Sequence, residues 1–250
     1  EVDIKVVGGE STRQHRWLSR FRNEIRAVAG LSHPGIVHVD DFGEISRDAE
    51  QRSSGRLRAG SPYLVMELVE GGSLKPLVGR MHWARLRDVL LRLLDALAHA
   101  HARGLIHRDI TPGNVLGDGR VVKLADFGLS HQVESGARRK AEVGVSGTPA
   151  YMAPEQWEGR WRDYGPWTDL YGVGYLAWAL ATGSAPFRAD GDLADLRDKH
   201  LWAKLPPLRS HRALPAGFED WLGGLLAKDP SRRFRRAADA VWALLDLPET

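Results

Sequence analysis

Three short motifs, separated by fixed intervals, constrain this chain more than any other feature of its sequence. They are HRDITPGN at residues 107–114, DFG at residues 126–128 and GTPAYMAPE at residues 147–155. The first two place a carboxylate that can accept a hydroxyl proton, an amide oxygen and a second carboxylate within one short strand–loop–strand segment. Such a set suits Mg²⁺-assisted phosphoryl transfer, in which positioning and charge neutralisation carry most of the catalysis.

The order and spacing of the three motifs resemble those of the eukaryotic-type Ser/Thr protein kinases. The resemblance extends from residue 2 almost to the end of the 250-residue chain. It implies an α+β, bilobal protein-kinase fold. A small, truncated antiparallel β N-lobe would occupy residues 1–70, and a mostly helical C-lobe would occupy residues 71–250.

Composition sets mild limits on the class of protein. With 43% hydrophobic residues, the chain can bury one sizeable core or two packed lobes. It has no cysteine, which excludes disulfides and fits a cytoplasmic protein, and arginine outnumbers lysine 28 to 7, which indicates a bacterial source. A net charge of +3 is too small to indicate nucleic-acid binding. The longest apolar stretch, residues 172–183, is too short to span a bilayer and no signal peptide opens the chain, so no membrane contact is expected.

Hydrophobic periodicity predicts strands in the first lobe and helices in the second. Strands are expected at residues 2–7, 36–42 and 63–68, with a helix at 20–29. Residues 46–61 are rich in Arg, Ser and Gly and are expected to form a mobile loop, with Gly71 and Gly72 at the lobe boundary. A helix over 83–103, ending at Gly104, would place five leucines on one face: Leu86, Leu90, Leu93, Leu94 and Leu97. Further helices are predicted at 168–181, 192–200, 218–227 and 237–245.

The resemblance assigns catalytic roles to charged residues around the motifs. Lys5 would contact the α- and β-phosphates of ATP and would be held by Glu24, nineteen residues later. Asp109 would orient and deprotonate the acceptor hydroxyl, whereas Asn114 and Asp126 would hold the magnesium ions. The alternatives are an ordinary surface ion pair for Lys5 and Glu24, and an incidental polar turn for the other three residues.

Other residues are assigned by the resemblance to nucleotide binding and to regulation. Glu67 and Val69 would offer adenine a backbone carbonyl and a backbone N–H, with Met66 as the gatekeeper. A hydrophobic strand end would look the same in the sequence, so that alternative stays open. The third motif lies at the distance expected for an activation segment. Arg108, beside the catalytic Asp, could pair with a phosphate on that segment and order it.

Some residues are expected to have structural roles only. By resemblance, Asp169 would accept hydrogen bonds from the backbone of the catalytic loop, and Glu155 and Arg233 would form an ion pair. His99 and His101 are interpreted as solvated side chains at the end of the long helix. A metal site is a poor interpretation of this pair, because residues two apart on a helix do not face each other.

Three departures from the family pattern concern the handling of ATP. No Gly-x-Gly-x-x-Gly occurs before Lys5, because only four residues precede it. We therefore expect the lysine strand to form an exposed sheet edge, covered by a missing N-terminal segment or by a partner. Asp3 replaces a small alanine that packs on adenine. Thr111 replaces a lysine of the catalytic loop, and losing that cation would cost about 2–4 kcal/mol of transition-state stabilisation.

Functions of different classes remain open from the sequence. The chain is either an ATP- and Mg²⁺-dependent Ser/Thr protein kinase, or a pseudokinase that binds nucleotide or protein partners without catalysis. Small-molecule phosphotransferases share the Asp–Asn–Asp set but lack the third motif. Thr148 belongs to the Ser/Thr version of that motif, so the expected substrate is a protein with a Ser or Thr acceptor. Ser73 and Gly113 stand where kinases that prefer basic peptides carry acids, so such a preference is not expected here.

Overall fold

The structure is a computed structural model that describes residues 1–7, 22, 25–127, 149–188 and 192–249. Two residues with predicted roles, Glu24 and Thr148, lie outside the described residues, as does Gly147, the first residue of the third motif. The helix predicted at 20–29 is described only at residues 22 and 25–29, which are helical.

The small lobe contains an antiparallel three-stranded sheet. Its strands are β1 (Val2–Val6), β2 (Val39–Glu44) and β3 (Pro62–Glu67), in the spatial order β1-β3-β2. Buried and half-buried residues alternate along β3, which is the pattern of a central strand with one face on a core. The register places Lys5 opposite Leu64 and Asp3 opposite Met66. The predicted strands are therefore confirmed, with ends shifted by at most three residues.

The strand that carries Lys5 lies at an edge of the described sheet, as expected. Three of its apolar side chains, at alternate positions, point away from the core, and they are 52%, 59% and 37% exposed: Val2, Ile4 and Val6. Alternate positions on a strand share a face, so Asp3 and Lys5 lie together on the other side.

The prediction of a mobile loop at residues 46–61 is wrong for its first half, which contains helix α1 (Arg47–Arg52). The Ser46 side chain accepts a hydrogen bond from the Ala49 backbone N–H and so caps the helix. Asp48 and Glu50 lie in the first turn, where the helix dipole favours negative charge. Composition alone hid this helix because serine and charged residues are common both in loops and at helix starts.

The large lobe is built from helices around a short hairpin. Its first helix is α2 (Trp83–His101), whose five leucines predicted to share a face are all at most 1% exposed. The hairpin pairs β4 (Val115–Leu116) with β5 (Lys123–Leu124). The remaining helices are α3 (Pro154–Trp157), α4 (Pro166–Thr182), α5 (Leu193–Trp202), α6 (Phe218–Leu226) and α7 (Ala237–Leu245). The four later helices predicted from periodicity are confirmed within two residues at each end.

Helix α4 runs through the middle of the large lobe, and residues 168–181 are all buried. It begins at a proline, whose fixed φ suits the first helical position, and ends at Gly183, whose φ of 84° allows the left-handed cap. Among the described helices, neither α4 nor any other is long and apolar enough to cross a membrane.

Two groups of buried side chains form the cores of the lobes. The larger contains the apolar faces of α2, α4 and α6, and the smaller contains Val7, Ile25, Val39, Leu64 and Met66. Leu31 and Ile36 pack in the larger group, although they precede residue 70. The boundary after residue 70 therefore stays a prediction, because hydrophobic contact crosses it.

Truncating a leucine at the centre of the larger core should destabilise the chain strongly. Leu90 is fully buried on α2, so Leu90→Ala removes buried methyl groups and leaves a cavity, costing about 2–5 kcal/mol of unfolding free energy. Leu193→Ala is the matched control, because Leu193 is 56% exposed and its loss should cost less than about 0.5 kcal/mol. Urea denaturation followed by circular dichroism measures both. Equal losses would contradict this packing.

Candidate active site

The catalytic-loop motif begins with a histidine that is completely buried. The Nδ1 of His107 accepts a hydrogen bond from the Asp109 N–H at 3.2 Å, so its Nε2 carries the proton and donates to the Ala125 carbonyl at 2.7 Å. Its ring also packs against Phe127, with centroids 4.6 Å apart. One imidazole thus ties the start of the loop to the residue before Asp126.

Asp109 and Asn114 are joined directly. The Asn114 amide N–H₂ donates to both the backbone carbonyl and the Oδ2 of Asp109, each at 2.8 Å. This closes the loop into a tight turn and leaves the amide oxygen of Asn114 available as a metal ligand. The Ala125 N–H donates to the Asn114 carbonyl at 2.9 Å, which brings Asn114 next to the strand that ends before Asp126.

Asp126 meets the lysine of the small lobe. Lys5 Nζ lies 2.6 Å from Asp126 Oδ2, with the two side chains 41% and 23% exposed. Asp126 has a φ of 64°, a left-handed conformation that Asp and Asn tolerate better than most residues. The structure thus brings together Lys5, Asp109, Asn114 and Asp126, whereas the predicted partner Glu24 lies outside the described residues.

The donor set around Asp126 fits Mg²⁺ chemically. One carboxylate and one amide oxygen are hard ligands, and Mg²⁺ in such sites usually takes its other ligands from phosphates and water. Within the described residues, no cluster of three or more His, Cys, Asp or Glu could hold a metal by itself. The nucleotide phosphates would therefore complete the coordination.

A buried carboxylate supports the loop from below. Asp169 on α4 is 1% exposed and accepts hydrogen bonds from the backbone N–H groups of His107 (2.8 Å) and Arg108 (2.7 Å). Burial raises the pKa of this carboxyl, but the hydrogen bonds and positive charge around it outweigh burial and hold the pKa below its usual value. The predicted role of Asp169 is confirmed by these contacts.

The interpretation of His101 as a solvated residue is wrong. Its side chain is 7% exposed, and its Nε2 lies 2.8 Å from Asp169 Oδ2. Helix α2 ends beside α4, so its last residue meets the carboxylate that holds the loop. No sequence spacing links residues 101 and 169, and so no pattern could have revealed this contact.

Arg108 also has a left-handed backbone, with a φ of 69°. Its N–H donates to Asp169 and its carbonyl accepts from Gln156 Nε2 at 2.8 Å, so both peptide groups of a strained residue are satisfied. Its guanidinium carbon lies 6.0 Å from the ring centre of Tyr164. The pairing of Arg108 with a phosphate stays a prediction, because the activation segment is largely outside the described residues.

Thr111 stands at the position of the family's catalytic-loop lysine but cannot supply the positive charge of that lysine. It is 6% exposed, and its hydroxyl accepts a hydrogen bond from the Gly113 N–H at 3.2 Å, which stabilises the turn before Asn114. The neighbouring Ile110 packs on α4 at Gly172, where any Cβ would lie 2.9 Å from the Ile110 Cβ. Thr111 thus shapes the loop and supplies no positive charge.

Met66, the predicted gatekeeper, and Glu67 after it have distinct surroundings. Met66 is 7% exposed and lines a small apolar cavity between the sheet, residues 25–28 and Phe127. The Glu67 carboxylate accepts hydrogen bonds from Lys123 Nζ at 2.7 and 2.8 Å and from the His38 N–H at 2.8 Å. Burial raises the pKa of Glu67, but these donors outweigh burial and lower it. The backbone contacts of Glu67 and Val69 with adenine stay predictions.

The predicted ion pair of Glu155 and Arg233 is present and fully buried. Two guanidinium nitrogens each lie 2.9 Å from a Glu155 oxygen, and the Thr168 hydroxyl also donates to Glu155 at 2.8 Å. Arg233 donates further hydrogen bonds to backbone carbonyls, including that of Trp167. Because every charge has partners, the pair connects the start of α3 to the residues before α7 without leaving an unpaired buried ion.

Comparison with known proteins agrees with this geometry. The sequence profile described as "Protein kinase domain" matches residues 1–242. The chain belongs to the protein kinase family. The resemblance to eukaryotic-type Ser/Thr protein kinases and the predicted α+β kinase fold are therefore confirmed.

This kinase chain has bacterial relatives. It is 37% identical over 251 residues to the serine/threonine-protein kinase PknA of Mycobacterium tuberculosis (strain ATCC 25618 / H37Rv), covering 97% of this chain and 55% of PknA. It is 33% identical to the probable serine/threonine-protein kinase PknB of Bifidobacterium longum (strain NCC 2705), covering 95% of this chain and 34% of PknB. The kinase chain thus spans about half the length of PknA and a third of PknB.

A solved structure also resembles the kinase fold described here. The crystal structure of the Mycobacterium tuberculosis PknI kinase domain superposes with a TM-score of 0.69 at 25% sequence identity. The superposition covers 98% of this chain and 85% of the PknI chain.

Removing the carboxylate beneath the loop should destabilise the protein. Asp169→Ala leaves two buried backbone N–H groups and His101 without their acceptor, which should cost about 2–4 kcal/mol of unfolding free energy. Asp163→Ala is the control, because Asp163 is 47% exposed and pairs only with Arg160 among the described residues. Chemical denaturation would compare them, and similar midpoints for both variants would refute the supporting role.

Proposed function

We propose that this chain is an ATP- and Mg²⁺-dependent protein kinase that transfers the γ-phosphoryl group to Ser or Thr side chains of proteins. The observation that carries the proposal is the convergence of four groups on one cleft. Asn114 is bonded to the Asp109 carboxylate, and Asp126 at the end of the same hairpin is bonded to Lys5. An incidental polar turn, the alternative interpretation, gives no reason for a lysine from the other lobe to meet Asp126.

The proposed reaction assigns one task to each residue. Asp109 accepts the proton of the acceptor hydroxyl. The hydroxyl oxygen forms a bond to the γ-phosphorus while the bond between that phosphorus and the ADP oxygen breaks, and ADP leaves. Lys5 contacts the phosphates once the nucleotide is bound, and Asn114 and Asp126 hold the metal. Mg²⁺, held by Asn114 and Asp126, would neutralise the negative charge that develops on the phosphate oxygens.

Two departures from the family pattern bear on this proposal. Asp3 lies on the same face of β1 as Lys5 and opposite Met66, so its carboxylate is placed near the expected adenine position. This weakens nucleotide binding by desolvation, without affecting the groups that act on the γ-phosphate. Thr111 leaves the loop without its own cation, which lowers the rate but spares the base and both metal ligands.

Nucleotide binding should stabilise the chain, and the metal should contribute to it. Mg·ATP at a hundred times its dissociation constant should add about 2.7 kcal/mol by mass action, seen as a raised melting temperature. Asp126→Asn removes the metal-binding charge while keeping a residue that tolerates the left-handed φ, so the difference between Mg·ATP and ATP with EDTA should shrink. The control is Asp220→Asn, an exposed position on α6. An identical metal effect in Asp126→Asn would contradict the assignment.

Catalysis should depend on Asp109. Asp109→Asn keeps the shape of the side chain but removes the base, so transfer of labelled γ-phosphate to a Ser/Thr protein substrate should fall by about 10²–10⁴-fold. Asp88→Asn, at an exposed site paired with Arg92 on α2, serves as the control and should retain full transfer. An unchanged rate in Asp109→Asn would refute the mechanism. Nucleotide binding without transfer to any protein would instead favour the non-catalytic alternative.

A further inference from the structure

The segment at and after the lobe boundary, residues 72–74, is held by backbone contacts along the hairpin that follows the catalytic loop. The Gly117 N–H donates to the Gly72 carbonyl at 2.7 Å, Ser73 forms an antiparallel bridge with Leu116, and the Leu74 N–H donates to the Val115 carbonyl at 2.9 Å. Leu74 is also fully buried. These contacts hold the next residue, Lys75, at a set position beside the loop, because Val115 directly follows Asn114.

The amine of Lys75 lies over the turn between Thr111 and Gly113. A Cβ on Gly113 would be 2.9 Å from Lys75 Cε and 3.3 Å from Lys75 Nζ, and 3.5 Å from the Thr111 hydroxyl. The end of the lysine side chain thus occupies the space beside Gly113, and a side chain at position 113 would displace it.

Lys75 has no charged partner among the residues that the structure describes. Lys75 is exposed, and with the residues that the structure describes its ammonium makes no hydrogen bond or ion pair. Residues 73 and 113, which lie near it in the chain and in the fold, are Ser73 and Gly113 and carry no charge. Thr111, which lies under the same turn, is uncharged. Within the described part of the chain, Lys75 is thus a positive charge held beside the catalytic loop, with its ammonium available to a ligand.

A substrate must pass close to this charge. The acceptor hydroxyl has to reach Asp109, and the bonds from the Asn114 amide fold the loop so that Gly113 lies beside Asp109. A peptide chain advances about 3.3 Å per residue when extended, so residues close to the acceptor lie over the turn that Lys75 covers. A carboxylate there would meet an ammonium that has no competing partner among the described residues.

We propose that Lys75 selects protein substrates that carry an acidic side chain close to the phosphorylated Ser or Thr. The inference rests on the proposed kinase function and adds the class of sequence that the active site accepts. Lys75 is a specificity residue in this arrangement, and its position, held by the Gly72–Leu74 backbone contacts, limits the preference to one or two positions of the peptide.

Steady-state phosphorylation of matched peptides tests the inference. Each peptide has one Ser and carries Asp, Ala or Arg at a single position within three residues of it, and kcat/KM is measured for each. At the preferred position the ratio of Asp to Ala should be roughly fivefold, the size of one charge pair in contact with water. The ratio should decrease as salt is raised, because exposed charges are screened.

Variants at one position assign the preference to Lys75. In Lys75→Gln the ratio should fall to about one, in Lys75→Arg it should persist, and in Lys75→Glu the peptide with Arg should become the better substrate. The control is Lys204→Glu, which reverses the charge of another exposed lysine, after α5, and should keep the original ratio. A thermal melt of each variant confirms that it is folded.

The outcomes separate this inference from the function on which it rests. Phosphorylation without any preference for acid, or a preference that survives in Lys75→Gln, overturns the inference and leaves the kinase function intact. A loss of kcat in Lys75→Gln that is equal for all peptides also overturns it, because the ammonium would then act on the phosphoryl group. If neither the unmodified chain nor Asp109→Asn transfers phosphate to any peptide, the kinase function and this inference are refuted together.

Discussion

The geometry of the candidate active site depends on one buried carboxylate, that of Asp169. Two consecutive backbone N–H groups of the catalytic loop, from His107 and Arg108, donate to it. Without such an acceptor, the left-handed conformation of Arg108 would keep only the hydrogen bond from Gln156 to its carbonyl, and the turn toward Asp109 would be less stable. The carboxylate lies on α4, which is buried along most of its length, so the loop takes its position from a helix in the core of the large lobe.

Short-range contacts connect the loop that Asp169 holds to the other residues of the site. His107 ties the loop to Ala125, Asn114 closes it onto Asp109, and the backbone of Ala125 joins Asn114. Only then does Asp126 reach Lys5 in the other lobe, through an ion pair in which both side chains are partly exposed. Within the described residues, several hydrogen bonds therefore hold the large-lobe part of the site, whereas the small-lobe lysine is held by a partly exposed ion pair.

Sequence reasoning succeeded where a local period or a fixed motif carried the information. The leucines of α2 share a face because their spacing follows the helical period, and the roles of Asp169 and of the Glu155–Arg233 pair follow from family motifs at known intervals. Sequence reasoning failed where the partner of a side chain depends on how distant elements pack together. His101 contacts Asp169 because two helices cross, and Glu67 uses its carboxylate on Lys123 across 56 residues of sequence. Helix α1 was missed because a serine cap looks like a loop residue until the following turn is seen to be helical.

The contact between Glu67 and Lys123 has a consequence for how the cleft can open. It joins the last residue of β3 to β5, so it links the small sheet to the hairpin of the large lobe. A sliding motion of one lobe over the other would separate these charges, whereas a swing about an axis through them would leave their distance almost unchanged. Gly71 and Gly72 follow a few residues later, with φ values of 92° and 68°, and can take up the dihedral changes of such a swing. The Glu67–Lys123 pair would therefore oppose sliding of the lobes more than rotation of one lobe against the other.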